Sequence, residues 1–241
     1  MESFPPINNV REYTTTGGIV IRAEVQKRGI QHVLHFTKIE NLLSITQNGL
    51  IPRANLDTHN ISYRHNDEIR VDRCENASCL SISFPNYKMF YSYRMHDPAQ
   101  EWVVISLSPR LLWEKDCAFC YSNAASSEIS SIPVSERKRP EAFLKMFDDF
   151  DGYPKRSKLK IQECHTTNPQ AEVLVFEVIE PDYFQGMFFQ NQKTIEALQQ
   201  NMGPLKQNKF PCRCGGNAFA PRGDYEYWKT PRVEDIFNDF F

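Results

Sequence analysis

The chain has 241 residues, with 28 basic and 30 acidic side chains and a formal charge of -2 at pH 7. Hydrophobic residues at 41% and charged ones at 24% describe a globular protein able to bury a full core, which excludes wholesale disorder. The near-neutral total also argues against a generally basic nucleic-acid coat protein, but it leaves local patches open.

Residues 1–18 read as irregular, and Ile19 to Glu24 opens a helix or a strand. Val33-Leu34-His35-Phe36-Thr37 is a short strand feeding a helix over 38–48, with Ile39, Leu42, Leu43 and Ile45 on its apolar face. Thr37 and Glu40 have the spacing of a capping box, and Gly49 supplies the stop. Residues 52–77 are polar and turn-rich, which predicts an exposed loop. A strand over 78–84 breaks at Pro85-Asn86, and an aromatic helix follows over 87–94. Strands over 102–107 and 117–121 flank a helical turn at 109–113, and 140–147 is helical. Ala171 to Ile179 is the strongest buried-strand candidate. A helix over 194–201 follows an aromatic loop, and a strand around Tyr225-Glu226-Tyr227-Trp228 closes the chain. Strands and helices do not alternate as βαβ units, so a mixed, largely antiparallel α+β domain is expected.

No apolar run approaches the roughly 18 residues of a membrane helix, so no membrane partner is expected. The opening Met1-Glu2-Ser3-Phe4-Pro5-Pro6 lacks the character of a secretory signal, and seven scattered cysteines fit reduced thiols in a cytoplasm. Cys212-Arg213-Cys214-Gly215-Gly216 has a metal-like spacing. It has no second close pair and no partnering histidine, and reads better as a tight glycine turn than as a zinc site. No metal is expected. Phosphate-cradling glycine loops of the GxxxxGK or GxGxxG kind are absent as well.

Two places could carry chemistry. Glu172 puts a charge at the mouth of the apolar run Ala171-Glu172-Val173-Leu174-Val175-Phe176. It is either a solvated strand end that blunts an edge, or a carboxylate projected into a cleft behind the loop Cys164-His165-Thr166-Thr167-Asn168-Pro169-Gln170. A carboxylate so placed suits glycosyl transfer, where it orients a ribose hydroxyl, stabilises an oxocarbenium-like centre and takes a proton from the nucleophile. His35 is either a satisfied core histidine or, with Thr37 and Asn41, part of a polar strand end facing a helix N-terminus, suited to an amide or an anion.

Taken together these blocks resemble the DarT family of DNA ADP-ribosyltransferase toxins. His35-x-Thr37-x-x-x-Asn41-Leu42-x-x-Ile45-x-x-x-Gly49-Leu50 is similar to its NAD-binding motif. Three further blocks follow in the family's order: Ser81-Ile82-Ser83-Phe84-Pro85-Asn86-Tyr87-Lys88-Met89-Phe90, Phe119-Cys120-Tyr121-Ser122-Asn123-Ala124-Ala125, and Pro169-Gln170-Ala171-Glu172-Val173-Leu174-Val175. The resemblance implies an ADP-ribosyltransferase-like α+β fold in one domain over 1–241, with central mixed or antiparallel split β-sheets flanked by helices. Within it lie an NAD-binding motif at 33–50, a flexible loop at 52–77, a substrate-recognition loop and catalytic strand at about 148–179, and a closing segment at 205–241. It implies Glu172 as the catalytic glutamate, and NAD contacts from His35, Phe36, Thr37, Asn41, Leu42, Arg53, Tyr87 and Met89. The implied acceptor is single-stranded DNA, and the implied partner is a macrodomain antitoxin that reverses the mark.

Nucleic-acid contacts are expected from Asn86, Lys88, Arg94, Asn123, Lys155, Arg156, Lys158, Lys160 and His165. The basic stretch from Arg137 to Lys160 would track phosphates, unless it is a solvated face. Tyr87, Phe90, Tyr91 and Tyr93 are stacking candidates, with core packing as the alternative. The thymidine-modifying branch carries an arginine shortly after the proline of the second block and a histidine in the third. Here Asn86-Tyr87-Lys88 and Asn123 stand in those places, which favours guanine as the target base. The remaining alternatives are a thymine, RNA or protein acceptor, or a catalytically silent nucleic-acid binding module.

Overall fold

In the computed structural model, Val33-Leu34-His35-Phe36-Thr37-Lys38 forms β1 (Val33–Lys38). The structure describes residues 16–58, 76–201 and 210–229. The expected loop over 52–77 lies largely, and the closing segment 205–241 partly, outside the described residues.

Among the described residues, seven strands form one mixed sheet in the order β4-β5-β2-β1-β3-β6-β7. The other strands are β2 (Ser78–Ile82), β3 (Trp102–Leu107), β4 (Cys117–Cys120), β5 (Glu172–Val175), β6 (Phe184–Phe189) and β7 (Cys212–Cys214). β7 lies parallel to β6, and the other pairings are antiparallel. All six side chains of β3 are buried, as expected for a central strand covered on both faces. Two short pairings, Val33 to Ile82 and Leu34 to Ser81, join the halves of the sheet. Beyond Leu34, β1 runs on along β3 while β2 runs along β5, so the sheet splits between them.

Helices cover both faces. On one, α1 (Thr16–Arg28) places Ile21 and Val25 in the main core, with Leu42 and Ile45 of α2 (Leu42–Asn48). The core also takes in Leu111 and Leu112 of α5 (Leu111–Glu114) and Phe143 of α8 (Pro140–Lys145). On the other face, Phe90 of α4 (Tyr87–His96) packs with Leu34, Trp102 and Val104. α3 (Arg53–Thr58) follows α2. The short α6 (Ser127–Ser130), α7 (Val134–Arg137) and α9 (Arg156–Leu159) lie between β4 and β5, and α10 (Gln192–Asn201) follows β6.

Several sequence expectations need correcting. Thr37 is the fifth residue of the strand and caps nothing. The following turn, Ile39–Asn41, is capped at Lys38 without a side-chain bond, and Glu40 instead accepts from Gln100 at 2.8 Å. Leu43 is 43% exposed and leaves the apolar face to Ile39, Leu42 and Ile45. Thr16–Arg28 is a helix where irregular chain was expected up to residue 18.

The aromatic loop before α10 is the strand β6. Gly186 disguised it: a Cβ there would meet the Pro211 carbonyl oxygen at 2.9 Å, so the glycine admits the chain leading into β7. Cys212 and Cys214 belong to that strand, and the turn begins at Gly215. Tyr225–Trp228 is a 3-10 turn, not a strand. Asp224 dictates this, because its carboxylate takes the Trp228 indole N–H at 2.8 Å, a reach of four residues that an extended chain does not allow.

Candidate active site

Glu172 is 5% exposed at the first position of β5, paired across the ladder with Cys120. Its Oε2 accepts the Ala124 N–H at 2.8 Å. That donor is presented by a local turn in which the Asn123 side chain accepts from Ala125 N at 2.8 Å and the Asn123 carbonyl accepts from Ser126 N at 3.0 Å. Asn123 therefore works as a turn residue that aims a backbone donor at the carboxylate. A rigid strand on one side and a backbone N–H on the other fix the carboxylate, as preorganised transition-state stabilisation requires.

The loop before β5 is held from both flanks. Arg156 donates to the carbonyl of His165 at 2.8 Å and to Thr167 Oγ1 at 3.1 Å. Arg222 donates to the carbonyls of Thr166 at 2.8 Å and Thr167 at 3.0 Å. Inside the loop, Thr166 Oγ1 donates to the Asn168 carbonyl at 2.9 Å, and Asn168 Nδ2 donates to Ser122 at 3.0 Å. Asn168 and Thr167 are fully enclosed.

At the split in the sheet, His35 Nδ1 lies 2.9 Å from the Cys79 carbonyl of β2. A carbonyl only accepts, so Nδ1 carries the proton and the ring is fixed as the Nδ1–H tautomer when neutral. Thr37 Oγ1 accepts from Asn41 Nδ2 at 3.0 Å, which ties the strand end to the following turn. Phe36 faces the other way and stacks on Phe90 at 4.5 Å between ring centroids, with Tyr93 and Trp102 beside it. Phe36, Phe90 and Tyr93 are thus mutual packing partners on the α4 face. Leu42, expected at the NAD site, is wholly inside the core and presents no side chain to a ligand. Arg53 opens α3 and is half-buried.

A third cluster lies where β2 turns into α4. Ser83 takes a φ of 60°, a left-handed conformation that costs a residue with a side chain about 1–3 kcal/mol. Asn86 is 1% exposed, accepts from Met89 N at 3.3 Å as the helix cap, and donates its own N–H to Ser81 Oγ at 3.1 Å. The Phe84 ring lies edge-on to both Tyr87 and His165. Asn86 Nδ2, Tyr87 Oη and His165 Nδ1 are buried without a hydrogen-bond partner. Groups of this kind, left unpaired at a high desolvation cost, fit a polar ligand. Burial, then the positive charge of Arg222, lowers the His165 imidazole to about 4, so it is neutral near pH 7. Burial, reinforced by Asp224, raises the Tyr87 phenol, which stays protonated.

The cations separate into two groups. Lys155, Lys158 and Lys160 are exposed around α9, as a phosphate-tracking surface needs. Arg156 is engaged with the loop. Arg137 is 4% exposed and bonded to the Ile132 carbonyl at 3.1 Å. Lys138 pairs with Asp116 at 2.6 Å. Arg94, expected to meet nucleic acid, donates to the Phe219 carbonyl at 2.9 Å and lies over the Phe90 ring, contacts that fasten α4. Lys88 is half-buried in the first turn of α4.

Sequence reasoning missed Ser122, Ser81, Arg222, Asp224 and Trp228. A signal existed for the last three: an arginine, an aspartate and a tryptophan within seven residues of a polar closing segment. Among the described residues no group of His, Cys, Asp and Glu could hold a metal ion, and no helix is long and apolar enough to cross a membrane.

A mixed sheet that splits beside a histidine, with a buried glutamate opening the strand after a clamped loop, defines an ADP-ribosyltransferase-like domain. The family described as "ssDNA thymidine ADP-ribosyltransferase, DarT" matches residues 34–214, and the chain belongs to it. Among solved structures, Thermosipho africanus DarTG in complex with ADP-ribose aligns with a TM-score of 0.55 at 16% identity, over 78% of this chain and 51% of that one. The chain thus spans about half the length of the Thermosipho protein. Thermus sp. 2.9 DarT in complex with ADP-ribosylated ssDNA aligns with a TM-score of 0.51 at 13% identity, over 79% of this chain and 96% of that one. No curated protein matches the sequence.

Proposed function

We propose that this protein transfers a single ADP-ribose from NAD to a base of single-stranded DNA, releasing nicotinamide. Family membership supports the reaction class, and the observation that carries it to this chain is Glu172, buried at a strand end and anchored by the Ala124 N–H. The residues present fit NAD: a tautomer-fixed His35 and the linked Thr37–Asn41 pair form a polar strand end for the nicotinamide amide. Breaking the bond between nicotinamide and ribose C1′ develops positive charge on the ribose. Glu172 stabilises that charge through a ribose hydroxyl, while neutral nicotinamide departs with the bonding pair. The base nitrogen attacks C1′ from the opposite face, and its proton passes to Glu172. A stacked, paired base cannot enter such a site, which favours a single strand. The Thermus relative was captured with ADP-ribosylated ssDNA, the acceptor class adopted here.

For the acceptor base we propose guanine. Asn86-Tyr87-Lys88 and Asn123 stand where the thymidine-modifying branch has groups suited to a ring nitrogen that must lose its proton. Both asparagines here are engaged in caps and turns. A guanine amine attacks through its lone pair and loses its proton late, so Glu172 suffices as the one base. Asn86 Nδ2, Tyr87 Oη and His165 Nδ1 are the unpaired groups suited to reading its edge. We read residues 1–241 as one catalytic domain working in a cytoplasm, with a macrodomain antitoxin as partner. In the test, NAD is supplied with single-stranded oligonucleotides each containing one kind of test base, with matched RNA, and with cell lysate. Adducts on guanine-containing DNA are expected. Adducts on thymine-only strands would overturn the base assignment, and labelled protein alone would move the acceptor.

A further inference from the structure

Among the described residues, the most enclosed ion pair outside the proposed chemistry is Arg222–Asp224, with side chains 2% and 0% exposed. It lies beyond residues 34–214, the part matched by the family. Arg222 uses its whole fork. Nε and Nη2 meet the two Asp224 oxygens at 2.6 and 2.7 Å, and Nη1 and Nη2 take the carbonyls of Thr166 and Thr167. Trp228 completes the unit by donating to Asp224 Oδ2, and its ring lies 5.7 Å from that of Tyr153. With Arg156 on the His165 carbonyl, two guanidinium groups occupy three successive carbonyls of one loop. A loop with three successive carbonyls held by rigid, charge-assisted bonds has little freedom to turn its side chains.

We propose that Arg222, locked by Asp224 and Trp228, is a positioning residue that sets the acceptor-facing loop 164–170 for transfer to DNA. The inference rests on the transferase reading above. Two observations fix its direction. Glu172 has supports of its own in the β4 ladder and the Ala124 N–H, neither of them made by Arg222, Asp224 or Trp228. His165, in contrast, carries the first of the three clamped carbonyls, directly before the two that Arg222 holds, and its ring presses on Phe84 beside Tyr87. Both titrating groups sense Arg222 and Asp224. Loosening the clamp therefore disturbs acceptor placement and leaves the cleavage of NAD intact.

The experiment compares the wild-type chain with Arg222→Lys and Trp228→Phe. The second variant removes one N–H donor while keeping an aromatic ring in the packed position, a smaller perturbation of the fold than the first. Three readouts are taken: ADP-ribose transfer to single-stranded DNA, NAD hydrolysis without DNA, and amide hydrogen exchange across 164–170. Transfer is expected to fall about tenfold to a hundredfold, the scale of a small misplacement of reactants. Hydrolysis and the KM for NAD should stay near wild type, and exchange should rise at Thr166 to Gln170 but not in β5. Unchanged transfer and exchange would overturn the proposal. So would a parallel loss of transfer and hydrolysis, which marks a merely structural role. If the wild-type chain modifies no DNA, the transferase reading fails, and the exchange data alone then decide whether the clamp holds the loop.

Discussion

His165 illustrates how burial shapes the chemistry of a single residue here. The imidazole of His165 is held at about 4, against an ordinary value near 6.5, chiefly because burial disfavours its charge. Between these values the unfolded chain binds a proton that the folded chain excludes, so stability is complete above about pH 6.5 and declines as pH falls towards 4. Urea unfolding midpoints of the wild type should therefore drop between pH 7 and 4.5 more steeply than those of His165→Asn, and parallel profiles would contradict the assignment. Asp224 belongs to the same scale. Asp224→Asn would leave Arg222 buried with no counter-charge, a loss of about 3–5 kcal/mol that chemical denaturation measures directly. A change below about 1 kcal/mol would mean that the pair contributes little.

The elements that frame the site were legible in the sequence to unequal degrees, for physical reasons. β1, β3 and the helix that ends at Gly49 stood out because apolar periodicity and a stop residue agreed. The resemblance brought out Glu172 and His35, whose composition alone left core and solvated readings open. β6 was hidden by its glycine, and the 3-10 turn at Tyr225–Trp228 by an aromatic run that mimics a strand. The clamp on the loop was hidden because its bonds join Arg222 to backbone carbonyls far back in the chain, and backbone acceptors leave no trace in residue identity. Gly49 offers a test at this scale. It has a φ of 84°, and a Cβ would meet the Ile179 carbonyl at 2.6 Å, where Leu50 and Ile179 exchange two backbone hydrogen bonds. Gly49→Ala should cost about 2–4 kcal/mol in urea unfolding by adding backbone strain to a clash with main chain, and a neutral outcome would show that this junction is soft.

Over the whole molecule, a charge of -2 conceals an uneven distribution, and the structure divides the basic stretch further. Arg137, Lys138 and Arg156 are committed to internal contacts, Arg139 and Lys145 are exposed, and Lys155, Lys158 and Lys160 are the exposed cations around α9. Replacing these three lysines with glutamate should weaken binding to single strands and reduce the slope of log affinity against log salt by about 2, as three lost phosphate contacts require. An unchanged slope would make them an ordinary solvated face. The central claim concerns Glu172. Purified wild-type protein and Glu172→Gln are each incubated with NAD and single-stranded DNA containing all four bases, and the DNA is weighed by mass spectrometry. The account predicts one ADP-ribose added per modified strand by the wild type, and a rate about 10²–10⁴-fold lower in the variant, with NAD binding retained. DNA left unmodified by the wild type, or modified equally well by Glu172→Gln, would contradict it.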